Sequence, residues 1–146
     1  MLWRICLSGY AVVLAAMVPS GFTAEPVPTD VDSSRVRPKE ITAEKLKSYI
    51  DKKKKFLLID GRGTPYYQET IPGSVLIMEQ EVEQKKHLLP ASKKMKIVDF
   101  CAGKGCKASE RLCINLMKLG YVNVVNYPGG FPDWKEKGYP TIVPAQ

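Results

Sequence analysis

The sequence predicts an α/β domain in which a parallel sheet is covered by helices on both faces. Short apolar runs alternate with amphipathic helical patterns from Ile41 onward, which is typical of such sheets. The apolar runs are continuous, as in strands buried on both sides. The length of 146 residues suits one domain with a single core.

The spacing of apolar residues and the end signals predict four helices. Leu46 and Ile50 lie four positions apart, and Thr42 stands where an N-cap is expected. Gly120 is placed to close a later helix. The predicted helices are Ala43–Asp51, Glu79–Leu89, Ser109–Leu119 and a short one over Pro132–Lys137.

Four short apolar runs are predicted to be strands, and the position of one of them indicates a site. The runs are Phe56–Asp60, Ser74–Met78, Lys96–Phe100 and Val122–Asn126. In open α/β sheets, ligands bind beyond the carboxyl ends of the strands. Cys101 follows directly after the third run, so we expect it at this edge of the sheet.

The N-terminal segment predicts export. Arg4 precedes an apolar run from Ile5 to about Pro19, and small and polar residues follow, as in a signal peptide of residues 1–24. The run is shorter than a membrane-spanning helix requires, so we expect no stable membrane insertion after cleavage. Residues 25–37 contain Pro, Ser and Asp and are interpreted as a linker, followed by the domain over residues 38–144. We therefore expect a periplasmic or other extracytoplasmic location, where thiols meet an oxidising environment.

The formal net charge of +7 is compatible with small anionic substrates as well as with simple solubility. The sequence has no zinc-finger spacing, basic helix or aromatic-interleaved Arg stripe, so we expect no nucleic-acid partner. We also expect no cofactor and no metal, because no cluster of metal-ligating residues is evident.

The loop after the third run has the composition of an anion-binding loop around a reactive thiol. Cys101 faces the start of the next helix, whose positive end favours a thiolate. The two glycines can adopt positive φ and turn backbone N–H groups inward, while the lysines add positive charge. Such a thiolate can carry sulfur as a persulfide, or attack a phosphoryl or arsenyl group. The candidate substrate-binding loop is Ala102, Gly103, Lys104, Gly105, Cys106 and Lys107.

Five short stretches, in order and at the expected spacing, resemble single-domain rhodanese-like proteins. They are Leu57–Arg62 (LLIDGR), Ile71–Ser74 (IPGS), Val98–Cys101 (VDFC), Leu119–Val124 (LGYVNV) and Gly129–Trp134 (GGFPDW). The resemblance covers the chain from about Arg37 to Ile142. It implies a three-layer sandwich around a five-stranded, mainly parallel sheet. It also implies a thiosulfate-type sulfurtransferase that forms a persulfide on Cys101.

The resemblance also bears on the residues around the thiol. Asp60 and Arg62 match the family's Asp-x-Arg, and charges at the end of a buried strand need partners, so we expect a supporting ion pair. Ser109 belongs to an Ala-Ser pair found in some members, while Thr70 stands where a histidine is usual. The implied partners are a small anionic sulfur donor, a thiol or cyanide acceptor and a candidate protein thiol.

Cys106 leaves the chemistry open. It is five positions from Cys101, close enough for a disulfide if the loop curls. It could therefore resolve a persulfide, relay sulfur or only line the loop, whereas Cys113 is predicted to be a core residue. The alternatives to sulfur transfer are a Cys101/Cys106 thiol-disulfide redox protein or oxyanion reductase, and a non-catalytic rhodanese-like binding module.

Overall fold

A computed structural model of the protein describes residues 37–144. The predicted signal peptide and all of the predicted linker but its last residue therefore lie outside the described residues. The strands are β1 (Lys39–Glu40), β2 (Leu57–Asp60), β3 (Ser74–Leu76), β4 (Ile97–Phe100) and β5 (Val124–Tyr127). The α-helices are α1 (Ala43–Asp51), α2 (Lys107–Lys118) and α3 (Gly130–Glu136). In residues 37–144, no helix is long and apolar enough to cross a membrane.

The five strands form one parallel sheet in the order β1-β5-β4-β2-β3. The central strand β4 pairs with β2 on one side and β5 on the other, and Asp99 is in register with both Ile59 and Asn126. Three strands therefore end side by side, at Asp60, Phe100 and Tyr127. The predicted α/β class is confirmed.

Successive residues of each central strand point to opposite faces, so the sheet has two cores. Val98 and Phe100 pack with α1 and α3, in a cluster that includes Leu46 and Trp134. On the other face, Ile59 and Ile97 pack against α2 through three of its residues, Leu112, Cys113 and Leu116. The continuous apolar runs follow from burial on both sides.

Two residues that were predicted to mark helix ends do so in the structure, one at the start of α1 and one after α2. Thr42 accepts a hydrogen bond from the backbone N–H of Lys45 and so caps α1. Gly120 adopts a φ of 87° just beyond α2, a conformation that a β-carbon would strain.

The predicted helix over Glu79–Leu89 is wrong. The segment contains two 3-10 helices, Glu79–Glu81 and Lys86–Leu88, joined by turns. Val82 is buried, but Leu88 is 40% exposed, so no continuous apolar stripe packs against the sheet. Without such packing, an α-helix of this length is not stabilised.

Several boundaries differ from the predictions because pairing, not hydrophobicity alone, decides where strands run. Val122 is 76% exposed and precedes β5, whereas Tyr127 pairs with Phe100 and extends the strand. The strand predicted over Ser74–Met78 ends at Leu76, and α2 and α3 each begin two residues earlier than expected. The apolar pattern does not indicate β1, because its two residues are charged and exposed.

Replacing Leu46 tests the α1 contact with the sheet. Leu46 is fully buried, so Leu46→Ala is expected to lower the free energy of unfolding by about 2–5 kcal/mol. Val122→Ala, at an exposed position, serves as the control and is expected to change it by less than about 0.5 kcal/mol. Urea unfolding of both variants measures this, and equal effects would contradict the described packing.

Candidate active site

Cys101 lies immediately after β4, at the edge where the three central strands end. Its residue exposure is only 5%, so the sulfur sits at the base of the site instead of on the outer surface. The Sγ atom is 4.0 Å from the carbonyl oxygen of Gly61, which follows β2. Cys101 is therefore held between the ends of neighbouring strands.

The loop after Cys101 turns sharply through its two glycines. Gly103 has a φ of 124° and Gly105 a φ of 88°, both in the region that favours glycine. The backbone N–H of Cys106 donates to the carbonyl of Gly103 and closes the turn at 3.1 Å. These conformations bring the chain back to the start of α2, as the glycine spacing predicts.

Cys106 is the N-cap residue of α2, and no side chain caps this helix end. Its sulfur is joined to that of Cys101 in a disulfide, with the two α-carbons 6.4 Å apart. This separation lies within the usual range for disulfides. Cys101 thus faces the positive end of a twelve-residue helix, as predicted from the sequence.

A pocket of about 310 Å³ opens over the loop. The predicted site residues that line it are Cys101, Gly103, Lys104, Gly105, Cys106 and Ser109. Two predicted loop residues do not line it: Ala102 faces a neighbouring groove, and Lys107 is exposed on the first turn of α2. Lys104 therefore supplies positive charge to the pocket, while the charge of Lys107 lies outside it.

The turn before α3 packs directly against the loop. The backbone N–H of Phe131 donates to the carbonyl of Cys101 at 3.0 Å. A β-carbon on Gly130 would come within 2.6 Å of the backbone nitrogen of Gly103. Since no side chain fits there, a glycine at position 130 is required for this close approach.

Asp60 and Arg62 form a buried ion pair beside the site, with their side chains 0% and 7% exposed. Arg62 Nη2 donates to Asp60 Oδ2 at 2.6 Å and to the carbonyl of Glu69, also at 2.6 Å. Thr70 donates its hydroxyl to the same carboxylate oxygen. The guanidinium lies 4.0 Å from the ring centroid of Phe131 and so connects this ion pair to the turn that holds Cys101.

A second buried polar group lies on the α2 side of the sheet. Of its members, Ser109 is predicted from the sequence as a supporting residue and Cys113 as a core residue, whereas Asp99 and Asn126 are not predicted. Ser109 Oγ is 2.7 Å from Asp99 Oδ2 and 2.6 Å from Asn126 Oδ1. The thiol of Cys113 donates to Asp99 Oδ1 at 2.9 Å, so this core cysteine also has a polar contact. Burial raises the pKa of Asp99 to about 7.

The sequence interpretation also missed five residues that line the pocket: Glu40, Glu110, Asn126, Tyr127 and Pro128. Asn126 and Tyr127 end β5, so the rule that ligands bind beyond strand ends could have indicated them. Glu40 belongs to the unpredicted strand β1, and Glu110 depends on the orientation of α2. In residues 37–144, no cluster of three or more His, Cys, Asp or Glu side chains could hold a metal ion.

Comparison with known proteins assigns the chain to a family. The model of the family described as "Rhodanese-like domain" matches residues 42–137, which include both cysteines of the loop and the Asp60–Arg62 pair. The chain belongs to the rhodanese-like domain family. No match to this chain is found among curated protein sequences.

Solved rhodanese-like structures share the fold. A protein of Bacillus halodurans superposes with a TM-score of 0.65 at 20% identity, over 72% of this chain and 77% of that one. The rhodanese-like domain of an Anabaena protein gives 0.62 at 23% identity, over 73% and 80%. A thiosulfate sulfurtransferase from Pseudomonas aeruginosa gives 0.58 at 22% identity, over 72% of this chain and 20% of that one. At these identities the likeness concerns the fold.

Removing Arg62 is expected to destabilise the domain strongly. Arg62→Ala leaves the buried carboxylate of Asp60 without a charge partner, which costs about 3–5 kcal/mol. Lys86→Ala is the matched control, because the Lys86–Glu83 pair is exposed and contributes at most about 1 kcal/mol. Denaturant unfolding of the two variants tests this, and a small effect of Arg62→Ala would contradict the buried pair.

Replacing Asp99 is expected to change how stability depends on pH. Because the pKa of Asp99 is raised from its ordinary value of about 3.8 to about 7 in the folded protein, the folded state binds the proton more tightly. The contribution of this group is therefore fully present below about pH 4 and is lost as pH rises to about 7. The free energy of unfolding of Asp99→Asn should thus rise relative to the native chain across this interval.

Urea unfolding at several pH values measures this difference. Asp51→Asn serves as the control, because the Asp51 side chain is 54% exposed. A difference between Asp99→Asn and the native chain that does not change with pH would contradict the described burial of Asp99.

Proposed function

We propose that this protein is an exported sulfurtransferase that moves sulfane sulfur through a persulfide on Cys101. The observation that carries the proposal is the placement of the Cys101 sulfur at the end of β4, facing the uncapped start of α2 and opening into a pocket. Membership of the rhodanese-like family supports this class of chemistry. The proposed location rests on the N-terminal residues 1–24.

The first half-reaction uses an anionic donor such as thiosulfate. The Cys101 thiolate attacks the outer sulfur, the S–S bond of thiosulfate breaks, and sulfite leaves with the electron pair. In this scheme Lys104, which lines the pocket, and the positive end of α2 stabilise the negative charge.

The second half-reaction removes the sulfur. A thiolate or cyanide attacks the outer sulfur of the persulfide, the new bond forms on the acceptor, and the Cys101 thiolate is regenerated. The scheme is a double displacement and implies ping-pong kinetics. Acceptors are a small thiol, cyanide or a protein thiol, and the scheme needs no metal or other cofactor.

The Cys101–Cys106 disulfide has a defined place in this scheme. An external thiol must reduce it before Cys101 can attack a donor. After sulfur loading, the Cys106 thiol can attack the inner sulfur of the persulfide, which forms the disulfide and releases hydrogen sulfide. Cys106 thereby limits the lifetime of the persulfide.

The disulfide also favours a second candidate function, a thiol-disulfide redox protein or oxyanion reductase. In that case both cysteines are required, because each supplies one sulfur of the bridge. Sulfur transfer requires Cys101 alone. The two functions therefore differ in what they predict for Cys106→Ser.

Mass spectrometry of the reduced protein after thiosulfate treatment tests the proposal. We expect the peptide containing Cys101 to gain one sulfur atom in Cys106→Ser, and cyanide to remove it as thiocyanate. The matched variant Cys101→Ser should gain no sulfur and lose thiosulfate:cyanide activity. Absence of the adduct in Cys106→Ser would contradict sulfur transfer, and activity that needs both cysteines would favour the redox function.

A further inference from the structure

The polar group formed by Asp99, Ser109, Asn126 and Cys113, hereafter the Asp99 cluster, lies beneath the pocket. Asp99 is fully buried, whereas Ser109 and Asn126 are 3% and 7% exposed and also line the pocket. Asp99 and Asn126 are register partners on β4 and β5, and Ser109 reaches both from the first turn of α2. The cluster thus connects a buried carboxyl group to the pocket wall.

With the Asn126 amide oriented so that its Oδ1 faces Ser109, the two contacts of Ser109 require a proton from another group. Its hydroxyl carries one hydrogen, yet its oxygen lies within hydrogen-bond distance of Asp99 Oδ2 and Asn126 Oδ1. Neither a carboxylate nor an amide oxygen can donate. Both contacts are satisfied when Asp99 is protonated, because Asp99 then donates to Ser109, and Ser109 donates to Asn126.

The surroundings of Asp99 favour the neutral acid. No basic side chain of residues 37–144 forms an ion pair with Asp99. Its register neighbours on β2 and β5 are Ile59 and Asn126, which do not titrate. From α2, the thiol of Cys113 faces it, and the pKa of this thiol is raised by burial and by the charges of Asp99 and Glu110. Burial likewise raises the pKa of Asp99 to about 7.

The same orientation of the Asn126 amide decides which of its groups faces the pocket. Its Oδ1 faces Ser109, so its NH₂ group is the part that remains for the pocket. The same pocket contains the carboxylates Glu40 and Glu110, which repel an anion, and Lys104, which attracts one. A further donor on the β5 side helps an anion to bind next to these carboxylates.

We propose that Asn126 is a specificity-determining donor for the anionic part of the sulfur donor, and that protonated Asp99 holds it in that orientation through Ser109. The identity of this anion rests on the proposed function. When Asp99 releases its proton to solvent, Ser109 donates to the carboxylate instead. The Asn126 amide then turns so that its NH₂ donates to Ser109 and its carbonyl oxygen faces the pocket, where it repels the anion.

The first measurement uses no ligand. Carbon NMR of the full chain follows the Asp99 carboxyl group through its titration, while proton–nitrogen NMR follows the side-chain amide of Asn126. We expect the amide signals of Asn126 to change with the same midpoint as the Asp99 carboxyl group. In Ser109→Ala, which removes the connecting hydroxyl, the two should no longer change together. Unlinked titrations in the native chain overturn the proposal.

The second measurement uses thiosulfate itself as the probe. In a Cys101→Ser background, which cannot consume thiosulfate, we expect the affinity to fall about tenfold between about pH 6 and about pH 8.5, as on losing one charge-assisted hydrogen bond. With Asp99→Asn added, the asparagine amide can still donate to Ser109 at every pH, so the affinity should remain high. Ser109→Ala should also abolish the pH dependence.

The outcomes separate this inference from the proposed function. A thiosulfate affinity that is absent, or that changes equally with pH in the Cys101→Ser and Cys101→Ser/Asp99→Asn proteins, overturns the role of Asn126. Linked titration and pH-dependent binding support it even if Cys101 forms no persulfide. In that case sulfur transfer fails as the function, while the anion-binding role of Asn126 stands.

Discussion

The pairing of β4 with β2 and β5 is the constraint on which the site depends. Because all three strands are parallel and in register, their carboxyl ends meet at one edge of the sheet. This places the Asp60 carboxylate, the Cys101 sulfur and the Asn126 amide at the same edge of the sheet, although they are far apart in the sequence. A shift of one residue in any of the three strands would turn its side chains to the opposite face and separate these groups.

The two faces of the sheet support the thiol in different ways. On the α3 face, the Asp60–Arg62 pair contacts Phe131, whose backbone holds the carbonyl of Cys101. On the α2 face, the Asp99 cluster lies under the pocket and contains only neutral or titrating partners. The α3 face therefore provides a fixed ion pair, while the α2 face contains a group whose charge changes near neutral pH.

The sequence predicted those parts of the fold and site that follow from local patterns. Continuous apolar runs indicated β2, β3, β4 and β5, and the glycines around Lys104 indicated the loop conformation, because positive φ favours glycine. The short strand β1 has no apolar residues, so only its pairing with β5 identifies it. Asp99 is a polar residue within a buried run, and its partners lie ten to twenty-seven positions away, a juxtaposition that only the tertiary structure provides.

The disulfide of the loop closes a very short ring, since its cysteines are only five positions apart. A disulfide stabilises the folded state by restricting the unfolded chain, and this effect grows with the logarithm of the number of residues in the ring. For so few residues the stabilisation amounts to about 2 kcal/mol. Neither bridged cysteine belongs to the two core clusters of the sheet. Opening of the bridge therefore changes the chemistry of the site at a cost of only about 2 kcal/mol in the stability of the domain, so the oxidation state of the loop is weakly coupled to folding.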